Sequence, residues 1–374
     1  MSLVPLVCDV SVTNVCNATC DFCSYAYDKG QVHTRSWIDR KELARALPIL
    51  YERGARYLNF QGGEPLLHPE IDGLVADAAD AGMRPGLITN GWLLPQRVGA
   101  LLDAGLRMLL VSIDSHSLEE HERNRGLRGL GERIRAGVQK ARQRGIPVYA
   151  SVTVSRLVQY DDLPDLLTSL GFDAVIFSYP RRKPFGSSSL VFSETSSLID
   201  FDEPELIQAL DGIESLRRHF RVMNPRASVE DVQRHVRGEE EMFACVGGHK
   251  YFYLDWNLDI WRCEAWSEPL GSVFDFAEIA DQRDRCNACT MACYRDNSVL
   301  MHFGVALEDA ASALAGGRLR EAARTVFRRS VLSSIRSVAG AAHEVVRLTP
   351  WLNQRTVRAK AARPPTSELE EITS

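Results

Sequence analysis

The chain has 374 residues, with 44 Lys and Arg against 49 Asp and Glu and a formal net charge of −5. Its 45% hydrophobic and 25% charged composition is that of a globular protein, large enough for one main domain and a smaller one, and the near-balanced charge excludes an overall bias toward nucleic acid. The opening MSLVPLVCDVSVTNVC has no basic n-region and no long apolar core, so neither a signal peptide nor a membrane span is expected and a cytoplasmic address follows. Thiols stay reduced there, so the nine cysteines point to metal or redox chemistry rather than disulfides.

In chain order the first predicted strand is LVCDVSV (6–12), in which Cys8 reads as a small core residue; CNATCDFC follows it. The helix RKELARALPILYERG leads to RYLNF (56–60) and QGGEP; the helix PEIDGLVADAADAG leads to PGLIT (85–89) and TNG. MLLVSI (108–113) runs into DSHS, and the helix LGERIRAGVQKARQRG precedes PVYASVTV (147–154) and AVIFSY (174–179). Alternating β and α units with apolar strands predict a parallel sheet, here a partial (β/α)6 TIM-like barrel, with every motif at a strand C-terminal end. From 181 the pattern loosens into the loop RRKPFGSSS and the helix FDEPELIQALDGIESLRRHF. Residues 241–300 form a cysteine-rich module, and the chain is expected to be helical to about 348, with ARPPTSELEEITS a disordered end. The expected domains are 1–235, 236–300 and 301–374.

Cys16, Cys20 and Cys23 place three thiolates on one short loop with no fourth local ligand. Structural zinc normally takes four protein ligands, whereas an iron–sulfur cube on three cysteines leaves one iron open. CNATCDFC, with Phe22 just before the last cysteine, resembles the signature of the radical S-adenosylmethionine superfamily. QGGEP and VSIDSHSLEEHERNRGLRGLGE are similar to its strand-two and strand-four regions, so the resemblance covers roughly residues 5–300. It implies a [4Fe–4S] cluster whose open iron chelates S-adenosylmethionine, which is split to a 5′-deoxyadenosyl radical that removes a substrate hydrogen. Gly62 and Gly63 would let backbone approach the cofactor ammonium, with Glu64 as its counter-charge. Ser112 and Asp114, two apart on a strand, would bond the ribose hydroxyls, or else cap a helix. Arg125 would grip the carboxylate, with Arg123 as competitor, and Asn90 would join the pocket or shape a turn with Gly91.

The second group begins as a hairpin: KYFYLDW, a turn at Asn257 and Leu258, then LDIWRCEAW, which brings Cys245 and Cys263 together. RCNACTMACYRD adds Cys286, Cys289 and Cys293. This arrangement resembles the twitch and SPASM extensions of the superfamily and implies one auxiliary [4Fe–4S] cluster on Cys245, Cys263, Cys286 and Cys289, a zinc knuckle being the alternative. It departs from SPASM by having Leu258 where glycine is usual. Cys293 stands open: a replacement ligand, a spectator, or a catalytic hydrogen-atom donor that would make an epimerase rather than a dehydrogenase.

A fully ligated auxiliary cluster carries electrons, which favours dehydrogenation or oxidative cross-linking. The expected substrate is a small molecule of sugar, aminocyclitol or nucleoside type in natural-product assembly, with a flavodoxin- or ferredoxin-type electron donor and no nucleic-acid partner. A peptide substrate is the alternative, and so is a lipid. For the lipid, GGRLREAARTVFRRSVLSSIRSVAGAAHEVVRL puts Leu319, Ala323, Val326, Phe327, Val331, Ile335, Val338 and Val345 on one helical face with arginines on others, suited to peripheral contact with an anionic membrane. CNACTMACYRD followed by this tail also resembles adenosyl hopene transferase relatives within the superfamily.

Overall fold

The computed structural model describes residues 3–26, 34–180 and 196–341. The expected loop at 181–189 and the expected tail lie outside the described residues. Strands β1 (Leu6–Thr13), β2 (Ala55–Gly62), β3 (Arg84–Thr89), β4 (Met108–Ile113), β5 (Val148–Thr153) and β6 (Ala174–Ser178) stand side by side in chain order and pair in parallel throughout. Between them run α1 (Arg40–Arg53), α2 (Ile71–Asp80), α3 (Leu94–Asp103), α4 with α5 (Leu118–Arg125, Leu130–Gln143) and α6 (Leu163–Leu170). This is the partial barrel expected.

The helices start and stop where local chemistry dictates. In α1 the Asp39 side chain accepts the Glu42 amide at 3.0 Å, and Gly54, at φ 110°, ends it in the left-handed region. Between them Leu43, Ala46, Leu47 and Leu50 form one buried face.

The strands alternate in a way that matters for function. Leu58, Phe60, Val111, Ile113, Val148, Ala150 and Val152 are fully buried beneath the helices. Their neighbours Asn59, Gln61, Ser112, Ser151, Thr153 and Ser178 keep accessible surface on the other face. The inner face of the partial barrel, its lumen, is therefore polar toward the strand C-terminal ends. Its base is apolar, built from Ile88, Met108, Leu110, Tyr149, Ile176 and Met223.

After α7 (Glu203–Leu216) and α8 (Arg226–Val236) the cysteine-rich segment joins this same sheet. Strand β7 (Tyr251–Leu254) pairs in parallel with β1, Asp9 opposite Tyr253, while β8 (Asp259–Trp261) and β9 (Gly271–Ser272) add antiparallel. The module is a continuation of the barrel wall, not an appended unit. Asp255 sets the turn: Oδ1 accepts the amides of Asn257 at 2.8 Å and Asp259 at 3.1 Å, and Oδ2 accepts Trp261 Nε1 at 2.9 Å. Leu258 adopts φ 67°, the left-handed region that explains why glycine is usual there. Its side chain is 6% exposed, and burying a leucine, worth roughly 2 kcal/mol, outweighs a strain of about 1 kcal/mol.

Helix α9 (Ala292–Ala315) passes through residue 300 without a break, so the boundary expected there falls inside an element. Asp296 on α9 accepts hydrogen bonds from Asn224 Nδ2 at 2.7 Å and from Ser228 Oγ at 2.5 Å, and Asn224 in turn pairs with both backbone groups of Phe177 on β6. The single amphipathic helix expected after 318 is also corrected. It divides at Phe327 and Arg328 into α10 (Leu319–Val326) and α11 (Arg329–Gly340). Val331 turns inward while Leu319, Phe327, Leu332 and Ile335 face solvent. Val345 lies outside the described residues.

Candidate active site

The cysteine loop leaves β1 at Thr13 and is docked at once by the end of β2. Gly63 N donates to Thr13 O at 2.7 Å, and Glu64 N donates to Val15 O at 2.8 Å. A Cβ on Gly62 would stand 2.3 Å from Thr13 O, and one on Gly63 would stand 2.2 Å from Val15 O. The glycine pair is therefore required by the chain's own backbone before any ligand is considered.

The Glu64 carboxylate is engaged by the protein itself. It is buried, its Oε1 accepting from Leu66 N at 3.0 Å and Thr89 Oγ1 at 2.6 Å, its Oε2 from Asn90 N at 2.7 Å. Burial raises its pKa and these three donors pull it back. The carboxylate clamps the end of β2 to the end of β3. Asn90 extends the clamp: Nδ2 donates to Asn17 Oδ1 at 2.8 Å, inside the cysteine loop, and Oδ1 accepts Trp92 N at 2.9 Å. The second of these bonds shapes the turn after β3, and the first ties that turn to the cysteine loop.

Asp114 is held by protein donors in the same way. Its carboxylate is buried and meets Arg125 through two parallel bonds, Nε to Oδ2 at 2.8 Å and Nη2 to Oδ1 at 2.6 Å, with Asn124 Nδ2 adding a third at 2.9 Å. Burial pushes its pKa up, but Arg125 and His121 together hold it well below the usual carboxylate range. Asp114 is thus the group that orients Arg125, whereas Ser112, partly exposed on β4, remains directed at the lumen. Arg125 keeps Nη1 outside the bidentate pair and acts electrostatically on both Cys16 and Cys20. Arg123 is exposed and paired with Glu119, away from this cluster.

Helix α4 braces the loop from below. Thr19 N donates to Arg125 O at 2.9 Å, and Asp21 N to Asn124 Oδ1 at 3.1 Å. Phe22 is buried. Burial first, then the charges of Cys23 and Glu64, push the Cys16 thiol up to about 12, and burial drives Cys20 well above the ordinary thiol value. Thiols so placed need a cationic partner to ionise. Glu64 and Asp114, the carboxylates acting on them, are already occupied by protein donors. Among the described residues no three His, Cys, Asp or Glu side chains close on one point as ligands of a single ion would. Three soft thiolates with one arginine and no free carboxylate fit an iron–sulfur centre.

The second cysteine group gathers around the β7–β8 hairpin and the start of α9. Cys245 and Cys263 are each raised by burial and by the charges of Cys286 and Cys289, so these four are mutual neighbours; Cys245 reaches about 11. Gly247 N donates to Cys245 Sγ at 3.3 Å, and Arg295 lies close enough to offset its charge. Burial raises Cys293 most, then Glu264 and Asp9, the residues of the lumen wall.

That wall was not read from the sequence. Asp9 Oδ1 accepts from Asn59 Nδ2 and from Tyr251 Oη, both at 2.8 Å. Gln61, immediately before the glycine pair, donates to Glu264, immediately after Cys263. One hydrogen bond thus joins the two cysteine segments. The available signal was the alternation Asp9, Ser11, Thr13 and Asn59, Gln61: polar residues at every second place of strands that a doubly covered parallel sheet would make apolar.

Residues 10–170 match the Radical SAM superfamily. The AdoMet-dependent heme synthase of Methanosarcina barkeri is 29% identical over 314 residues, 77% of this chain and 89% of the relative. The probable GTP 3′,8-cyclase of Aeropyrum pernix is 28% identical over 284 residues, 74% and 78% of the two. Among solved structures, Streptococcus suis SuiB bound to S-adenosylmethionine matches with TM-score 0.54 and 16% identity, covering 79% of this chain and 67% of that one. Native anSMEcpe with bound AdoMet matches with TM-score 0.53 and 15% identity, covering 92% and 99%. These two are likenesses of fold.

Arg125→Met should leave Asp114 buried and unpaired and cost roughly 3–5 kcal/mol in chemical denaturation, with part recovered in Asp114→Asn/Arg125→Met. Burial lifts the Asp9 pKa to about 6 against its hydrogen bonds from Asn59 and Tyr251, with Cys8 and Cys293 also near it. The folded state then holds its proton more tightly than the unfolded one, so the stability tied to Asp9 is full below about pH 4 and lost as pH rises through 6. Asp9→Asn should remove that loss, raising stability at pH 7 by on the order of 2 kcal/mol relative to wild type and changing little at pH 4.

Proposed function

As a radical SAM enzyme whose domain spans residues 10–170, the chain, we propose, abstracts hydrogen from a small polar molecule held in the barrel lumen, as a dehydrogenase or epimerase in natural-product biosynthesis. The observation that carries this reading is the lumen itself: accessible polar residues on the inner strand face, directly beneath the cysteine loop and bonded through Gln61 and Glu264 to the second cysteine segment. Cys16, Cys20 and Cys23 would hold one [4Fe–4S] cluster, and Cys245, Cys263, Cys286 and Cys289 an auxiliary one. When bound, the clusters and S-adenosylmethionine supply electron transfer and the 5′-deoxyadenosyl radical.

The chain's own residues do the rest. Gly62 and Gly63 hold the cysteine loop against β2, and Arg125, oriented by Asp114, places positive charge beside the thiolates and presents Nη1 for a carboxylate. Ser112 offers a hydroxyl from the lumen wall. Tyr25, packed edge-on against Trp256 at 6.4 Å, helps close the loop over the lumen and keep water out. Cys293 decides between outcomes: as a lumen thiol it donates a hydrogen atom for epimerisation, and without that role the substrate is left oxidised. A flavodoxin- or ferredoxin-type donor, a reduced cytoplasmic setting and the absence of a nucleic-acid partner belong to the same proposal.

A second reading follows from the C-terminal helices. Leu319 is 69% exposed, Phe327 87%, Leu332 57%, and they are interspersed with Arg320, Arg324, Arg328 and Arg329. Among the described residues no helix is long and apolar enough to cross a membrane. Such a surface suits peripheral contact with anionic lipid, and with it a lipid substrate.

Two experiments test these readings. Anaerobically reconstituted chain with dithionite and S-adenosylmethionine should form 5′-deoxyadenosine and bind roughly eight irons, two [4Fe–4S] clusters' worth. Cys16→Ala/Cys20→Ala/Cys23→Ala should abolish cleavage, Cys245→Ala/Cys263→Ala should remove about half the iron, and Cys293→Ala should leave iron content unchanged. In liposome flotation, the membrane reading expects binding to phosphatidylserine vesicles that falls with salt and with Phe327→Ser; a chain that stays at the bottom of the gradient excludes it.

A further inference from the structure

We propose that the cavity between the cysteine segment and the C-terminal helices is a second binding site, one that takes a phosphate monoester with an apolar body. Arg285, Arg328 and His249 would grip the phosphate. The site lies outside the lumen and is independent of the chemistry proposed there.

The cavity has a volume of about 550 Å³, ample for a small molecule. One wall is Cys245, Val246 and Arg285 of the cysteine segment; the other is His302 and Ala306 of α9 with Arg328, where α10 passes to α11. Cys263, Cys286 and Cys289 do not line it, so it is separate from the place where those thiols meet Cys245. Its polar groups can be accounted for in turn. Asp309, the single carboxylate among the described lining residues, is taken by Arg283 through two parallel bonds, Nη1 to Oδ1 at 3.0 Å and Nη2 to Oδ2 at 2.8 Å. Ser298 Oγ donates to Tyr294 O at 2.7 Å, and Ser330 Oγ is bonded to His302 Nε2 at 2.8 Å. Arg285 and Arg328 are left over. Both are exposed, and neither guanidinium has an ion pair or hydrogen bond among the described residues. Their charges converge on the cavity: burial first, then Arg328 and Arg285, push the His302 pKa below its ordinary value. Two such charges without a counter-ion favour an anion, and guanidinium forks match phosphate oxygens.

Two further observations point to a ligand. The N-terminus of α11 meets the same cavity, which both Arg328, its N-cap residue, and Ser330, in its first turn, help to line. No side chain caps it, and a free helix start favours a bound anion. His249 also lines the cavity, and its side chain is 10% exposed. Its Nδ1 is bonded to Asp281 Oδ2 at 2.8 Å, whereas its Nε2 is buried and without a partner. A buried ring nitrogen left unpaired is costly. A phosphate monoester can satisfy it in either protonation state, accepting from an imidazolium or donating its own P–OH to the neutral ring; an ionised carboxylate or a phosphodiester can only accept. Between these polar groups Val246 and Ala306 are buried beside Met242 and Val305, an apolar stretch suited to a hydrocarbon body.

The test dialyses the anaerobically reconstituted chain to equilibrium against equimolar hexyl phosphate, hexanoate and 1-hexanol, with retained ligand read by mass spectrometry. Hexyl phosphate should be retained about tenfold over hexanoate, one order in Kd, and hexanol should not be retained. Arg285→Gln/Arg328→Gln should bring hexyl phosphate down to the level of hexanoate. His249→Asn, which leaves Asp281 its bond from Arg53 at 2.7 Å, should weaken it several-fold. Iron content and unfolding midpoint report whether each variant is folded, and Arg328→Gln alone serves if the double variant is not. A lipid headgroup can present the same monoester, so flotation with phosphatidic acid vesicles separates the sources. Vesicle binding that hexyl phosphate displaces marks a membrane ligand, and retention of hexyl phosphate without displaceable vesicle binding marks a soluble one. Hexyl phosphate retained no better than hexanoate, or a folded variant of either kind that retains it as wild type does, would overturn the assignment.

Discussion

Two backbone hydrogen bonds, Gly63 N to Thr13 O and Glu64 N to Val15 O, hold the cysteine loop against the end of β2. Neither forms unless the second strand approaches to a distance that a Cβ would forbid. From that contact the rest of the site is positioned in turn. Glu64 reaches the end of β3, Asn90 returns to Asn17 in the loop, and helix α4 supplies Arg125 O and Asn124 from the next strand end. Three cysteines on an otherwise irregular segment are thus located by three consecutive strands, which is how a loop acquires the precision of a sheet.

The buried charges divide by task. Asp114 and Arg125 neutralise each other through two parallel bonds, and the pair is a positioning device whose cost is met within the protein. Asp9 is left with neutral donors alone, and burial raises its pKa toward 6. A sequence under selection for stability alone would have placed asparagine there. Local violations of this kind gather where a protein meets its ligand, and this one lies on the inner face of the barrel.

Pairing of β7 with β1 makes the second cysteine segment part of the lumen wall. Strand β1 consequently has neighbours on both sides, carries Asp9 inward and Cys8 into the core, and ends in the cysteine loop. The bond from Gln61 to Glu264 places one carboxylate between the two cysteine groups. A molecule in the lumen would lie between them as well, the arrangement required if a hydrogen atom leaves on one side and an electron on the other.

Much of the architecture was legible in the amino-acid order. Six strands, their order and the concentration of motifs at one end follow from alternating apolar periodicity and glycine stops, which are local signals. The cysteine spacing pointed to the radical SAM superfamily for the same reason, and residues 10–170 match it. What the side chains of Glu64 and Asp114 do was not legible, because a carboxylate's partner is chosen by strands remote in sequence: Thr89 and Asn90 in one case, Arg125 in the other. The chain written 1–235, 236–300 and 301–374 also gave no sign that β7 would hydrogen-bond to β1 or that α9 would run through residue 300. The lumen wall of Asp9, Asn59, Gln61, Tyr251 and Glu264 was decided by tertiary structure alone, since a period-two polar pattern states that a face is special but only sheet closure states which residues share it.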